Sequence, residues 1–166
     1  MIWVGSFKSA DGARQTRFTG APLDVHTSVR SEIALISPLV DWLMNLIATP
    51  HCVCGDEQLL ELALREALSN AMLHGNRLEA GKLVYVHSRC EPCREVFVVV
   101  SDQGRGFNPN QIPNPLAVEN LSAERRRGIH LMRVAMDEVS FEHGAGQVHM
   151  RKKLGLEQRT CAPAFC

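Results

Sequence analysis

The sequence predicts an α+β fold: a two-layer sandwich in which a mainly antiparallel, mixed sheet carries helices on one face. Two observations lead there. Consecutive strand-like segments in the second half are joined by tight turns, which suits antiparallel neighbours. Two long stretches, residues 27–47 and 56–75, repeat apolar side chains at helical spacing. The length, 166 residues, is that of one domain, and a chain of this size buries roughly two-thirds of its unfolded surface.

In chain order, residues 1–13 read as a mixed arm, partly disordered. Residues 14–19 alternate weakly and predict an edge strand, broken by Gly20-Ala21-Pro22. Val29, Ile33, Ile36, Val40, Leu43 and Ile47 then predict a helix from Thr27 to Ile47, kinked at Pro38 and ended by Thr49-Pro50. Asp56 is placed to cap a second helix, with Glu57 in its first turn and a Leu- and Ala-rich run as far as Leu73. Gly75 closes it. Lys82–Arg89 and Glu95–Ser101 read as strands, turned at Cys90-Glu91-Pro92-Cys93.

Residues 102–127 hold glycines, prolines and asparagines and then the run Glu124-Arg125-Arg126-Arg127. A loop of this length inside a compact domain is usually functional or disordered. Helical spacing resumes over Gly128–Met136. Glu138–Glu142 and Gln147–Arg151 read as closing strands, turned at His143-Gly144-Ala145-Gly146. The expected organisation is an arm (1–13), one domain (14–153) and a patternless tail (154–166).

Composition narrows the function. Lys+Arg and Asp+Glu both count 18, so there is no basic excess of the kind a dedicated nucleic-acid binder carries. No apolar run is long enough to span a bilayer, and the apolar start is too short for a signal peptide. A soluble, cytoplasmic protein is expected, with no direct contact to nucleic acid or membrane. In that setting the six cysteines are expected as thiols or metal ligands rather than disulfides. If the second helix and the strand after it run antiparallel, Cys52, Cys54, Cys90 and Cys93 converge on one edge, where four thiolates hold structural Zn²⁺. Ordinary thiols are the simpler reading, and Cys161 and Cys166 look incidental.

No GxxxxGK[ST] motif occurs, and the single Gly-x-Gly after a strand is not followed by a helix start, so two common nucleotide folds are excluded. Three other patterns carry chemistry. Glu66 and Asn70 lie one turn apart on an otherwise apolar helix, where a polar pair is costly unless partnered. They are either a solvent-facing edge or a general base beside a Mg²⁺ ligand, since hard Mg²⁺ takes oxygen ligands. Asp102-Gln103-Gly104-Arg105-Gly106-Phe107 ends a core strand with a carboxylate able to accept from an adenine amino group, and its glycines let backbone approach a ligand. Arg127-Gly128-Ile129-His130-Leu131-Met132 places a glycine where a helix is expected to start, an anion-binding position.

Together these motifs resemble the GHKL superfamily of ATP-binding domains, the Bergerat or histidine-kinase-like ATPase fold. Glu66–Asn76 resembles its N box, Asp102–Phe107 its first glycine box and Arg127–Met132 its second. Glu-Ala-x-x-Asn-Ala-x-x-His-Gly, Asp-x-Gly-x-Gly-Phe-x-Pro and Arg-Gly-Ile-x-Leu-Met are similar to bacterial anti-sigma factor serine/threonine kinases, over roughly residues 14–153.

The resemblance implies ATP and Mg²⁺ as cofactors, and a sigma factor and a STAS-type antagonist as protein partners. It implies phosphorylation of a serine or threonine on that antagonist. Glu66 matches the catalytic base, Asn70 the Mg²⁺ ligand and Asp102 the adenine reader. Gly104, Gly106 and Gly128, with Ile129, match the turns that face the nucleotide, and His74 is placed to line the pocket. Arg105 or one of Arg125, Arg126 and Arg127 is placed to reach the γ-phosphate. Members often dimerise, so a homodimer is an expectation of the resemblance. Arg126 stands where the second glycine box usually has its first glycine, which favours an alternative: a regulator that binds nucleotide or partner without transferring phosphate. A two-component histidine kinase would need an upstream acceptor histidine, and neither His26 nor His51 lies in such a context.

Overall fold

Alternation of side chains, not helical spacing, governs the first core segment. Val25, Thr27 and Val29 are buried while Asp24, His26 and Ser28 face the other way, the period-two pattern of a strand. The structure, a computed structural model, describes residues 2–3, 22–48, 55–92, 94–104, 124–142 and 146–153. Its elements are β1 (Ile2–Trp3), β2 (Leu23–Arg30), a 3₁₀ turn (Ile33–Leu35), α1 (Ile36–Ala48), α2 (Glu57–Ser69), β3 (Leu83–Glu91), β4 (Glu95–Asp102), α3 (Glu124–Ala135), β5 (Glu138–Glu142) and β6 (Gln147–Lys153). α2 runs on into a π-helical turn over Asn70–Gly75.

The predicted helix from Thr27 to Ile47 is therefore corrected. Its first four residues belong to β2, and α1 begins only at Ile36. Val29, Ile33 and Ile36 mimic a helical stripe because a strand, a short turn and a helix in succession bury residues at similar intervals. Pro38 produces no break: it sits in the first turn of α1, where its missing N–H has no acceptor to lose. The third helix is also corrected. It begins at Glu124, so Arg125–Arg127 are helical and Gly128 is not a helix start. The edge strand expected over 14–19, the tail and His143–Ala145 lie outside the described residues. Ile2–Trp3, expected in the arm, pair with β2.

The sheet has six strands in the order β1-β2-β3-β4-β6-β5. β1 joins β2 in parallel, and every other pair is antiparallel. β6 slots between β4 and β5, so the last hairpin folds back with β5 at the edge. The three helices among the described residues lie on one face. Val84, Val86, Val96, Val98, Val100 and Met150 from the sheet meet Leu39, Leu43, Leu60, Leu64, Leu68 and Met132 from the helices in one core. This is the predicted α+β sandwich. The opposite face is open and carries His26, His87, Phe97 and His149.

Cys90 is buried in the core at the end of β3 and is disulfide-bonded. The expectation of thiols is corrected at this position. A disulfide sulfur has no thiolate to offer, so Cys90 is not a Zn²⁺ ligand, and the four-cysteine site loses one corner. Cys52, Cys54 and Cys93 lie outside the described residues.

Candidate active site

The site is built where the end of α2 meets the end of β4 and the start of α3. Glu66, Asn70 and His74 follow one another at four-residue spacing, so one flank of α2 and its π-helical extension presents all three. Glu66 and Asn70 line a cavity of about 300 Å³ with His74, Arg127 and Gly128. The motif residues from the second and third helices thus converge, although 50 or more positions separate them in sequence.

Gly128 has a packing role. A β-carbon placed there would lie 2.5 Å from Glu66 Oε2 and 3.1 Å from Asn70 Nδ2. Only glycine lets α3 approach the polar pair this closely. With α3 starting at Glu124, its free N–H groups belong to residues 124–127, and that of Gly128 is the first with an acceptor inside the helix. The expected anion site at Gly128 therefore moves back one turn.

Burial pushes the Glu66 carboxyl above the usual carboxylate range, and the Arg127 guanidinium draws it part of the way back. A carboxyl held up by desolvation beside a cavity is poised to accept a proton. The Asn70 Nδ2 is buried with no hydrogen-bond partner. Such an orphan marks a side chain whose partner arrives with a ligand. The amide turned end for end offers its oxygen at the same place, a hard donor of the kind Mg²⁺ takes. The donor set thus fits a magnesium nucleotide.

A second, narrow crevice adjoins the first. Ala67, Ala71, Val100, Ile129, Met132 and Phe141 make its apolar walls, Asn70 lies at one side, and Asp102 lies at its end. An apolar slot ending in a carboxylate suits a flat heterocycle with an exocyclic amino group.

Three glycines enclose Asp102. β-Carbons at Gly75 and Gly104 would collide with its carboxylate, and one at Gly146 would lie 2.6 Å from Oδ1. Gly146 also takes φ +60, a left-handed conformation. The Gly104 N–H donates to Asp102 Oδ1 at 2.8 Å, and the Asp102 N–H donates to the Gly146 carbonyl at 2.9 Å. Gly81, by contrast, has nothing within 4 Å of a built β-carbon. Gly75→Ala is expected to cost about 1–3 kcal/mol by overpacking, and Gly81→Ala to leave the core untouched, as read by urea unfolding.

The loop after Asp102 is held from below by Asn76, which is fully buried. Its Nδ2 donates to the Leu83 carbonyl at 3.0 Å, and its Oδ1 accepts from the Gln103 N–H at 2.8 Å. Gln103 Oε1 returns a bond from the Leu83 N–H at 2.7 Å. The π-helical turn makes this possible. Asn76 N–H reaches back to the Ala71 carbonyl and Leu78 N–H to that of Met72, so the helix widens just before Asn76. Arg77 and Leu78 then take φ 55 and 56 to turn the chain toward β3.

The structure thus brings together Glu66, Asn70, His74, Arg127 and Gly128 in one cavity, and Asn70, Asp102 and Ile129 in the next, with Gly104 bonded to Asp102. Arg105 and Gly106 lie outside the described residues, as do the side chains of Arg125 and Arg126. Gly75, Asn76 and Gly146 are site residues that sequence reasoning missed. Gly75 and Asn76 had been read only as the end of a helix. Gly146 had been read only as part of a hairpin turn. Its place opposite Asp102 follows from the Ser101–Gln147 pairing of β4 with β6, which spacing alone does not reveal.

No helix among the described residues is long and apolar enough to cross a membrane. A search of curated proteins finds no match. A family model described as the histidine kinase-like ATPase domain matches residues 29–152, most of the chain and every element from the end of β2 to β6. With the sheet order, the polar pair on α2 and the glycine-lined carboxylate already in place, the chain belongs to the histidine kinase-like ATPase (GHKL) domain family.

Proposed function

We propose that the protein is a Mg-ATP-dependent serine/threonine kinase of the anti-sigma factor type, acting on a STAS-type antagonist in a partner-switching pathway. The observation that carries this reading is the convergence of a desolvated Glu66 with Asn70 and Arg127 on one cavity, next to an apolar slot ending at Asp102. In the reading, the adenine enters the slot and its amino group donates to Asp102. The phosphates extend past Asn70 toward the first turn of α3, whose free N–H groups and arginines favour anions. Asn70 holds the magnesium, which when bound neutralises phosphate charge. Glu66 takes the proton from a seryl or threonyl hydroxyl as its oxygen bonds to the γ-phosphorus. The bond from that phosphorus to the β–γ bridging oxygen breaks, and ADP leaves. The sigma factor, the antagonist, a cytoplasmic setting and a homodimer rest on the motif resemblance.

A second reading, a regulator that binds partner or nucleotide without transfer, is favoured by one feature. Arg126, in place of the family's glycine, falls within α3, so helix replaces a glycine hinge there. Two assays decide. Calorimetric titration with Mg-ATP is expected to give binding that Asp102→Ala abolishes. Incubation with γ-labelled ATP and a STAS-domain protein is expected to leave label, stable to acid, on serine or threonine. Nucleotide binding without label in the second assay establishes the non-catalytic regulator instead.

A further inference from the structure

We propose a divalent metal site for a Zn²⁺-class ion on the open face of the sheet, formed by Asp24, His26 and His87. Asp24 and His26 are two apart on β2 and so emerge on the same face, away from the helices. His87 is directly opposite His26 in the β2–β3 register. Cross-strand partners on one face lie about 4.5–5.5 Å apart at Cβ, so both rings start from neighbouring anchor points.

The rings stack with centroids 3.9 Å apart and planes 9° from parallel. Stacked this way, they aim the same ring edge at one carboxylate oxygen. His26 Nε2 lies 3.1 Å from Asp24 Oδ1 and His87 Nε2 lies 2.9 Å from it. The three ligand atoms all lie within 4.8 Å of one another. In a tetrahedral zinc site with bonds of 2.0–2.1 Å, neighbouring ligand atoms are about 3.3 Å apart. The triangle thus needs to open by only a few tenths of an ångström at the carboxylate to admit the ion.

The surroundings hold the ligands in place. Phe97 on β4 meets His87 edge-on at 6.5 Å, and it has His149 of β6 on its other side. Arg89, opposite Asp24 in the ladder, is paired with Glu91 and so does not claim the carboxylate. Two imidazoles and one carboxylate suit zinc and its neighbours, Co²⁺, Ni²⁺ and Cu²⁺, rather than Mg²⁺ or Ca²⁺. On binding, each imidazole coordinates through Nε2 as a neutral ring and releases any proton it carries there to solvent. Three protein ligands leave a fourth position for water. That position opens to solvent beside His26, whose side chain is 46% exposed. The ion would pin β2 to β3 on the face opposite Glu66, so the site is independent of the nucleotide reading.

Co²⁺ is the probe. Titration of the full chain is expected to give one equivalent with visible d–d absorption and no thiolate charge-transfer band in the near ultraviolet. The imidazole proton resonances of His26 and His87 are expected to shift or broaden at the same stoichiometry. His26→Asn and Asp24→Asn, at partly exposed surface positions, are expected to retain the wild-type far-ultraviolet circular dichroism and to lose at least about tenfold in affinity. A thiolate band with affinity unchanged in His26→Asn would place the metal on cysteines and overturn the proposal. Absence of saturable binding would overturn it equally, leaving the three groups a hydrogen-bonded surface cluster.

Discussion

Glu66→Gln is expected to lower phosphate transfer by about 10²–10⁴-fold, the usual worth of a positioned general base. The amide keeps the shape of the carboxyl and cannot take a proton. Mg-ATP affinity is expected to stay near wild type, because Asp102 and the apolar slot are untouched. Single-turnover transfer from labelled ATP, with calorimetry alongside, separates the two quantities. Loss of nucleotide binding with loss of transfer would give Glu66 a binding role instead.

The same substitution is expected to stabilise the fold, in a pH-dependent way. Burial raises the Glu66 carboxyl in the folded state above its unfolded value. Below the unfolded value both states are protonated and no penalty exists. As pH rises toward and through the raised folded value, the unfolded chain ionises more easily, and the native state loses stability. Glutamine carries no such penalty. The difference in melting temperature between Gln and Glu is therefore expected to open from acid toward neutral pH and then level off. A difference that narrows over this range would mean that Arg127 outweighs burial. A general base that destabilises its own fold is the usual trade between function and stability.

The second large effect is expected at Asn76. Asn76→Ala leaves the Leu83 carbonyl and the Gln103 N–H without their present partners at a fully buried position. Each such group costs about 1–3 kcal/mol when left unsatisfied. A domain of this size loses about 2–4 °C of melting temperature per kcal/mol. Nucleotide affinity is expected to fall with stability, because Gln103 adjoins Asp102 and its cage of glycines. Asn76→Asp, which keeps the acceptor for Gln103 and removes the donor to Leu83, is expected to fall between. Wild-type stability in Asn76→Ala would reduce the network to surface hydrogen bonding.

Much of this architecture is legible in the sequence where one element is enough. α2 reads correctly because its apolar stripe is long and its capping residue is in place. The Glu66–Asn70 pair reads correctly because helical spacing alone sets it on one face. The strand pair 83–91 and 95–102 reads nearly to the residue because alternation is clean on both sides of one short turn. Legibility fails where a position depends on distant neighbours. The stretch 27–36 satisfies helical spacing by accident, and only the sheet, which buries Val25, Thr27 and Val29 together, decides otherwise. Gly128 reads as a helix start until the approach of α3 to Glu66 is known. Gly146 acquires meaning only when β6 is inserted beside β4. The cysteine pattern suggested metal, and the disulfide at Cys90 decides against that residue as a ligand.

The π-helical turn over Asn70–Gly75 has a consequence for the chain as a string of letters. A π turn behaves as one residue inserted into a regular helix. Deleting any one residue between 70 and 75 would do more than shorten the helix. It would let the segment relax to 3.6 residues per turn and re-phase everything downstream by about 100°. Asn76 would swing away from Gln103 and Leu83, and the glycine that admits Asp102 would be replaced by a side chain. The length of this motif is thus as much a part of the site as its letters.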